Sequence, residues 1–327
     1  MMSGTRSAGR RQAGVAIITV LLVVTLATLI VSSLFWRETV TVRSVENRLA
    51  LAQVRWIEAA VLDWAEVVLR IDQNSTGNVD HLGEVWALPV AETRLDETVT
   101  GGAQISDTDR NASLAGQVFD AQARLNLNDL IIQGRPSQPH REALERLLAL
   151  LGRPESLAAV LQQRLQRAYP PIVENVQLPA TALPLLKVAD LRAVPGFDDE
   201  SVAALRPFVE FIPKTIRHAR GVATTENLRV NINTAPAEVL AAAIPGIDLQ
   251  TARQFVEGVR QRTFFASLDV ARSQFIGAPE LPDELLSVGS SFFLVAGVVR
   301  FGRVEAQSEA LLYRGAGRVE RVWQHRY

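Results

Sequence analysis

From Val15 to Phe35 the chain runs for 21 residues without a charge, directly behind a leader that ends Arg10-Arg11-Gln12-Ala13-Gly14. At about 1.5 Å of rise per residue the run spans roughly 31 Å as a helix, enough to cross a bilayer core. Arg6, Arg10 and Arg11 precede it, and no acidic residue comes before Glu38. By the positive-inside rule the amino end stays cytoplasmic and the large remainder lies across the membrane. A removable secretory signal has an apolar stretch of only about 7–15 residues and a small-residue cleavage site behind it. This run is longer and exits through Leu34-Phe35-Trp36-Arg37, a poor cleavage site.

Beyond the span, Val45, Leu49, Ala52, Trp56, Ala60, Trp64, Val67 and Ile71 recur at helical steps of three and four. No Pro or Gly occurs between Val15 and Ile71, and the first breaker cluster is Asn74-Ser75-Thr76-Gly77-Asn78. The spacing predicts one helix, half in the membrane and half packed on one face. With 48% apolar residues the remainder can build a core, and a net charge of -1 supplies no global field toward nucleic acid or anionic lipid. Zero Cys excludes disulfides, thiol catalysis and thiolate metal sites together.

Strand-like runs lie at 116–127, 292–299, 304–313 and 318–323, with turns offered by Gly302 and by Gly315-Ala316-Gly317. They predict an antiparallel sheet of three or four strands drawn from distant segments. Between Asn128 and Leu286 the pattern is helical, broken at Pro136, Pro139, Pro154, Pro170-Pro171 and Pro179. The expected class is α+β. A long membrane-spanning helix packs on a small antiparallel sheet, residues 37–127 plus 287–327, and a large all-α domain, 128–286, is inserted into it.

Within the insert, Leu191-Arg192-Ala193-Val194-Pro195-Gly196-Phe197-Asp198 is echoed by Ala241-Ala242-Ala243-Ile244-Pro245-Gly246-Ile247-Asp248. With Val230-Asn231-Ile232-Asn233-Thr234-Ala235-Pro236 ahead of the second copy, this resembles the helix-hairpin-helix of competence-type DNA receptors. That motif holds phosphate on backbone N–H groups at a helix start. Both copies here place Asp where the motif's second Gly belongs. From Leu186 to Arg262 ten basic residues face nine acidic ones, with no basic stripe. A pilus-associated DNA receptor is the alternative function, and the expectation is no nucleic-acid partner.

The Gly14/Val15 junction, a basic leader ending in Gly before Val-Ala-Ile-Ile-Thr, resembles the processing site of type IV prepilins and type II secretion pseudopilins. A plain signal anchor is the other reading of the same segment. The resemblance implies that a prepilin peptidase removes residues 1–14, methylates Val15 and leaves 15–36 as the membrane helix. Pilins of this class usually carry Glu at the fifth residue after the cut, where it pairs with a neighbour's terminal amine. Here that residue is Thr19, and a subunit with none above it has no such amine to pair. The segments Asp80–Ala87, Phe119–Leu130, Val230–Ala235 and Ser290–Leu294 each resemble the K-type minor pseudopilin of type II secretion. The resemblance implies an inner-membrane protein with its bulk in the periplasm, at the pseudopilus tip, beside minor pseudopilins of the H, I and J types. The helix face bearing Trp56 and Trp64 is the candidate surface for those partners.

Family members bind calcium through an acidic stretch that here reads Leu161-Gln162-Gln163-Arg164-Leu165-Gln166-Arg167, which puts calcium in doubt. Asp107-Thr108-Asp109-Arg110-Asn111 imitates a calcium loop but lacks its Gly and its closing Glu. No cofactor or metal is therefore assigned. His81, His140, His218 and His325 are scattered, no nucleophile elbow occurs, and nothing in the sequence argues for an enzyme.

Overall fold

A computed structural model describes residues 12–94, 112–173, 176–218, 221–224, 227–275, 277, 279–315 and 317–327. The would-be calcium loop at 107–111 lies outside them. Helix α1 spans Gln12–Thr76 without a break, about 98 Å at ordinary rise. It ends where the Gly77 N–H closes on the Gln73 carbonyl at 3.2 Å and Gly77 turns to φ 74°.

Five strands make the sheet: β1 (Val90–Arg94), β2 (Ala112–Asp120), β3 (Phe292–Phe301), β4 (Val304–Gly315) and β5 (Arg318–Arg326). They lie side by side in that order, every neighbouring pair antiparallel. The sheet is thus wider than the sequence suggests. Strand β1 escapes a hydrophobicity reading because Ala91, Glu92, Thr93 and Arg94 are all exposed on a sheet edge. Strand β2 ends earlier than expected, because Asp120 accepts the Gln122 N–H at 2.8 Å and starts a 3₁₀ turn.

Helix α1 crosses one face of this sheet. Leu62, Ala65 and Leu69 pack with Trp86, Val118, Phe293, Val295, Ala310 and Leu312, and Val54 packs with Ala112, Val299 and Phe301. A fully buried Leu contributes ~1.5–3 kcal/mol. The buried face of α1 therefore reads Val54-Glu58-Leu62-Ala65-Leu69-Asp72. It is not the stripe that the spacing singled out. Glu58 is buried because Arg326 reaches it at 2.6 Å from β5, and Arg321 of the same strand stands 3.6 Å from Asp63 and from Glu66.

Residues 121–291 leave the sheet at the end of β2 and return at the start of β3. They carry α2 (Gln138–Leu150), α3 (Ser156–Ala168), α4 (Asp199–Leu205), α5 (Ala237–Ala243), α6 (Leu249–Gln254) and α7 (Leu268–Arg272). One apolar core joins them, including Leu144, Leu147, Leu148, Leu161, Leu165, Leu205, Leu240 and Phe265. Helices are not its only elements. Short strand pairs tie its ends, Leu125–Asn126 parallel to Val209–Glu210 and Val230–Asn231 parallel to Leu286–Ser287.

Candidate functional site

Gly14 and Val15 sit inside α1, and Val15 and Thr19 are exposed on the bare span. The Thr19 hydroxyl donates back to the Ala16 and Val15 carbonyls at 2.9 and 3.1 Å. In hydrocarbon such back-bonding keeps a hydroxyl satisfied without any neighbour. A Glu there would need a cationic partner or a proton.

Above the span, Trp56 is 75% exposed and Trp64 46% exposed, and Leu49, Val67 and Ile71 share their exposure. At 3.6 residues per turn these side chains project from the side of α1 opposite Val54, Leu62 and Leu69. The helix thus carries two apolar stripes, one closed by its own sheet and one open.

Where α1, the sheet and the insert meet, a buried polar joint replaces apolar packing. Arg314 reaches in from β4, donating to Asp72 at 2.8 Å, to Asp80 and to the Ser290 carbonyl at 2.9 Å. Its guanidinium lies 4.6 Å from the Phe293 ring. Asp80 accepts the Ser290 N–H at 2.7 Å while its own N–H donates to Val288 at 3.0 Å. Asp120, at the end of β2, accepts the Thr234 and Ser290 hydroxyls, each at 2.6 Å. The Asn231 amide spans the Asp80 carbonyl, Asp120 and Ser290 at 3.0–3.1 Å. Asn233 ties the Phe265 backbone from both its amide atoms. Backbones approach so closely that a Cβ on Gly289 would fall 1.9 Å from the Asn78 carbonyl oxygen. The four segments singled out in the sequence, at 80–87, 119–130, 230–235 and 290–294, converge on this joint.

Burial raises the proton affinity of Asp72, Asp80 and Asp120 in this joint. Burial, then the Glu84 charge, pushes Asp72 up to about 7 although Arg314 pulls it down. Burial raises Asp80 against the same Arg314, and raises Asp120 to about 6 against its hydroxyl donors. Glu84 accepts the His81 N–H at 3.0 Å and the Trp86 indole at 2.7 Å, both on Oε2. On the insert side, burial lifts Asp129 to about 6 against Lys214, whose ammonium stands 3.9 Å away.

The twin hairpins of the insert share one geometry. Gly196 and Gly246 turn at φ 90° and 82°. Asp198 caps α4 at φ -89°, ψ 171°, and Asp248 caps α6 at φ -92°, ψ 170°. Each carboxylate accepts a backbone N–H at 2.7 Å, from Ser201 and Thr251. Hydrogen bonds from those two residues hold both carboxyls below the usual range. Each Asp thus takes the amide that an incoming phosphate would use, and adds a negative charge. In the place of the family's acidic calcium stretch, α3 presents Arg164 and Arg167, a donor set that does not fit a cation.

A family model described as type II secretion system (T2SS), protein K matches residues 230–289, and a second with the same description matches 123–214. A type II secretion system protein K from Pseudomonas aeruginosa is 28% identical, covering 94% of this chain and 90% of its own length. The protein of that name from Klebsiella pneumoniae is 26% identical, covering 97% of both chains. The crystal structure of the GspK-GspI-GspJ complex from the enterotoxigenic Escherichia coli type 2 secretion system matches with a TM-score of 0.61 at 18% identity. That match covers 86% of this chain and 99% of the solved one, so the fold is shared. The family-model match at 230–289 takes in Asn231, Asn233 and Thr234 of the joint, and the relatives match nearly end to end. The chain belongs to the type II secretion system protein K family, the K-type minor pseudopilins.

Proposed function

We propose that this minor pseudopilin caps the type II secretion pseudopilus, takes part in starting its assembly, and so serves the export of folded proteins across the outer membrane. After cleavage behind Gly14 by the prepilin peptidase, the span from Val15 holds it in the inner membrane as a single-pass protein. The bulk of the chain lies in the periplasm, and Trp36, 73% exposed at the end of the span, sits at headgroup depth.

The open apolar stripe of α1 carries this reading. A stripe that continues the membrane helix upward and stays uncovered by its own sheet suits lateral packing against the helices of H-, I- and J-type minor pseudopilins. Thr19, satisfied within its own helix, needs no terminal amine from a subunit above. The large insert suits an end position, where no further subunit has to stack.

Purified full-length chain in detergent, mixed with I- and J-type partners, tests it. The double substitution Trp56→Glu and Trp64→Glu is expected to weaken the complex on the order of 100-fold, as loss of aromatic anchors does. The melting temperature should hold within about 2 °C, since both side chains are exposed. A complex formed with undiminished affinity would remove this face from the assembly. Mass spectrometry of the same preparation should find an N-methylated Val15 at the amino end. An unprocessed leader in cells with active prepilin peptidase would leave the plain signal anchor.

A further inference from the structure

Directly after α6 the chain continues as a π-helical turn, Phe255–Arg260, a geometry that recurs at functional sites. Phe255 enters the insert core, while Arg260 lines a cleft of about 420 Å³ between the insert and the loop that follows α1. His81, Leu82 and Gly83 contribute from that loop, and Val256, Arg262 and Phe264 from the insert. Among the described residues no Asp or Glu lines the cleft.

The Arg260 guanidinium is held on one side only. Its Nη1 donates to the Ala235 carbonyl and, at 3.3 Å, to the Ile232 carbonyl. Its Nε and Nη2 donate to nothing among the described residues, and neither is sealed from solvent. Those two groups form the side-on fork that accepts a carboxylate through two parallel bonds. Burial lowers Arg260 to about 10, with no acid acting against it. A guanidinium drawn out of water without a counter-charge is costly, and a bound carboxylate would offset that cost.

The other wall is apolar and braced. The His81 ring stacks on Phe264 with centroids 4.0 Å apart and planes at 10°, and its Nδ1 accepts the Gly83 N–H at 3.1 Å. Phe264 is 49% exposed and Leu82 53% exposed. Glu84, 3.8 Å from the His81 Nε2, is buried in the joint and does not line the cleft. The volume lies near the lower end of the roughly 300–1,000 Å³ of ligand clefts, which suits a short segment of chain.

We propose that this cleft binds a short acidic peptide segment of a partner protein. A Glu or Asp carboxylate takes the free fork of Arg260 beside Arg262, and a flanking apolar side chain covers Phe264 and Leu82. A bare phosphate would satisfy the cations but leave that wall uncovered, so the pairing of charge with an apolar surface favours peptide. The occupant would bridge the loop after α1 and the insert. The site is built from this chain alone and does not depend on a place at the pseudopilus tip.

The test uses full-length protein in detergent micelles and two mixtures of acetylated tripeptide amides. Both carry Val, Leu or Phe at the ends, with Glu at the centre of one and Gln at the centre of the other. The Gln mixture reads uptake by the micelle. Retention measured by mass spectrometry should favour Glu by about ten-fold or more, the worth of one charge-assisted bond. Arg262→Gln should reduce that preference, Arg260→Lys should reduce it further by losing the fork, and Phe264→Ser should lower retention of every Glu peptide. Should Arg260→Lys fail to fold, the exposed Arg262 and Phe264 supply the comparison. Equal retention of the two mixtures overturns the proposal. So does a Glu preference that Arg262→Gln and Phe264→Ser leave unchanged, which would mark binding elsewhere. Inorganic phosphate that binds more tightly than any Glu peptide also overturns it, by making this a phosphate site.

Discussion

The insert core and the joint beneath it hold the same chain together by opposite means. Leu144, Leu147, Leu161 and Leu165 are fully buried among other apolar side chains, and their stability is spread over many interchangeable contacts. The joint concentrates its stability in Arg314, Asp80, Asp120 and Asn231, each bonded to segments far away in sequence. A core built the first way tolerates substitution by degrees. A joint built the second way fails when one member is lost, because its partners stay buried without it.

The largest expected effect follows from that contrast. Arg314→Met leaves Asp72 and Asp80 without their cation and should cost about 3–5 kcal/mol. Leu161→Ala should cost about 2–5 kcal/mol by transfer and cavity. Denaturant melts read by a probe on the sheet and another in the insert separate the two. Arg314→Met should shift both probes, whereas Leu161→Ala should shift the insert probe more. Equal shifts from Leu161→Ala would erase the distinction.

A smaller effect, on the order of 2 kcal/mol in each region, comes from pH. Asp120, in the joint, is raised from 3.8 to about 6, so what it contributes is complete below 3.8 and is lost as pH rises through about 6. His140, on α2, is lowered from 6.5 to about 4, by burial first and Lys214 second. Its contribution is complete above 6.5 and is lost as pH falls toward about 4. From about pH 7 to about pH 5 the joint should tighten while the insert around His140 loosens. Hydrogen exchange, corrected for intrinsic rates, can compare the Gln122 amide, which donates to Asp120, with those of α2. A change of the same sign in both would refute the opposition.

The smallest effect is local. Asp248→Ala removes a helix cap on the insert surface and should cost about 1 kcal/mol, leaving the sheet probe still. Asp198→Ala should match it, since the two caps share their angles and their bond length.

What was legible in the sequence follows the same division. The uncharged run, the late strands and the helical insert all announce themselves through periodic apolar residues. The buried face of α1 did not, because Glu58 and Asp72 interrupt it. Both carboxylates are buried only because Arg326 and Arg314 come from the far end of the chain. The spacing instead picked out Trp56 and Trp64, a true stripe that the sheet leaves open. The joint was visible as four separate polar segments, but nothing local says that Asp80, Asp120, Asn231 and Ser290 meet. The Asp198 and Asp248 positions were seen as lost glycines, and their geometry shows what they do instead: each holds the amide at a helix start.

The exit and re-entry of the insert have a further consequence. Asp120 ends one strand opposite Phe293 near the start of the next, so the detour through residues 121–291 begins and ends on paired backbone. Loop-closure entropy grows only slowly with length once the ends are held, and here the sheet holds them. The detour could lengthen, shrink or be exchanged between related chains with little strain on the strands, provided that Asp120, Asn231 and Ser290 survive as the splice. Grafting a foreign domain between Asp120 and Ser290 is therefore a route to new cargo on an unchanged stem.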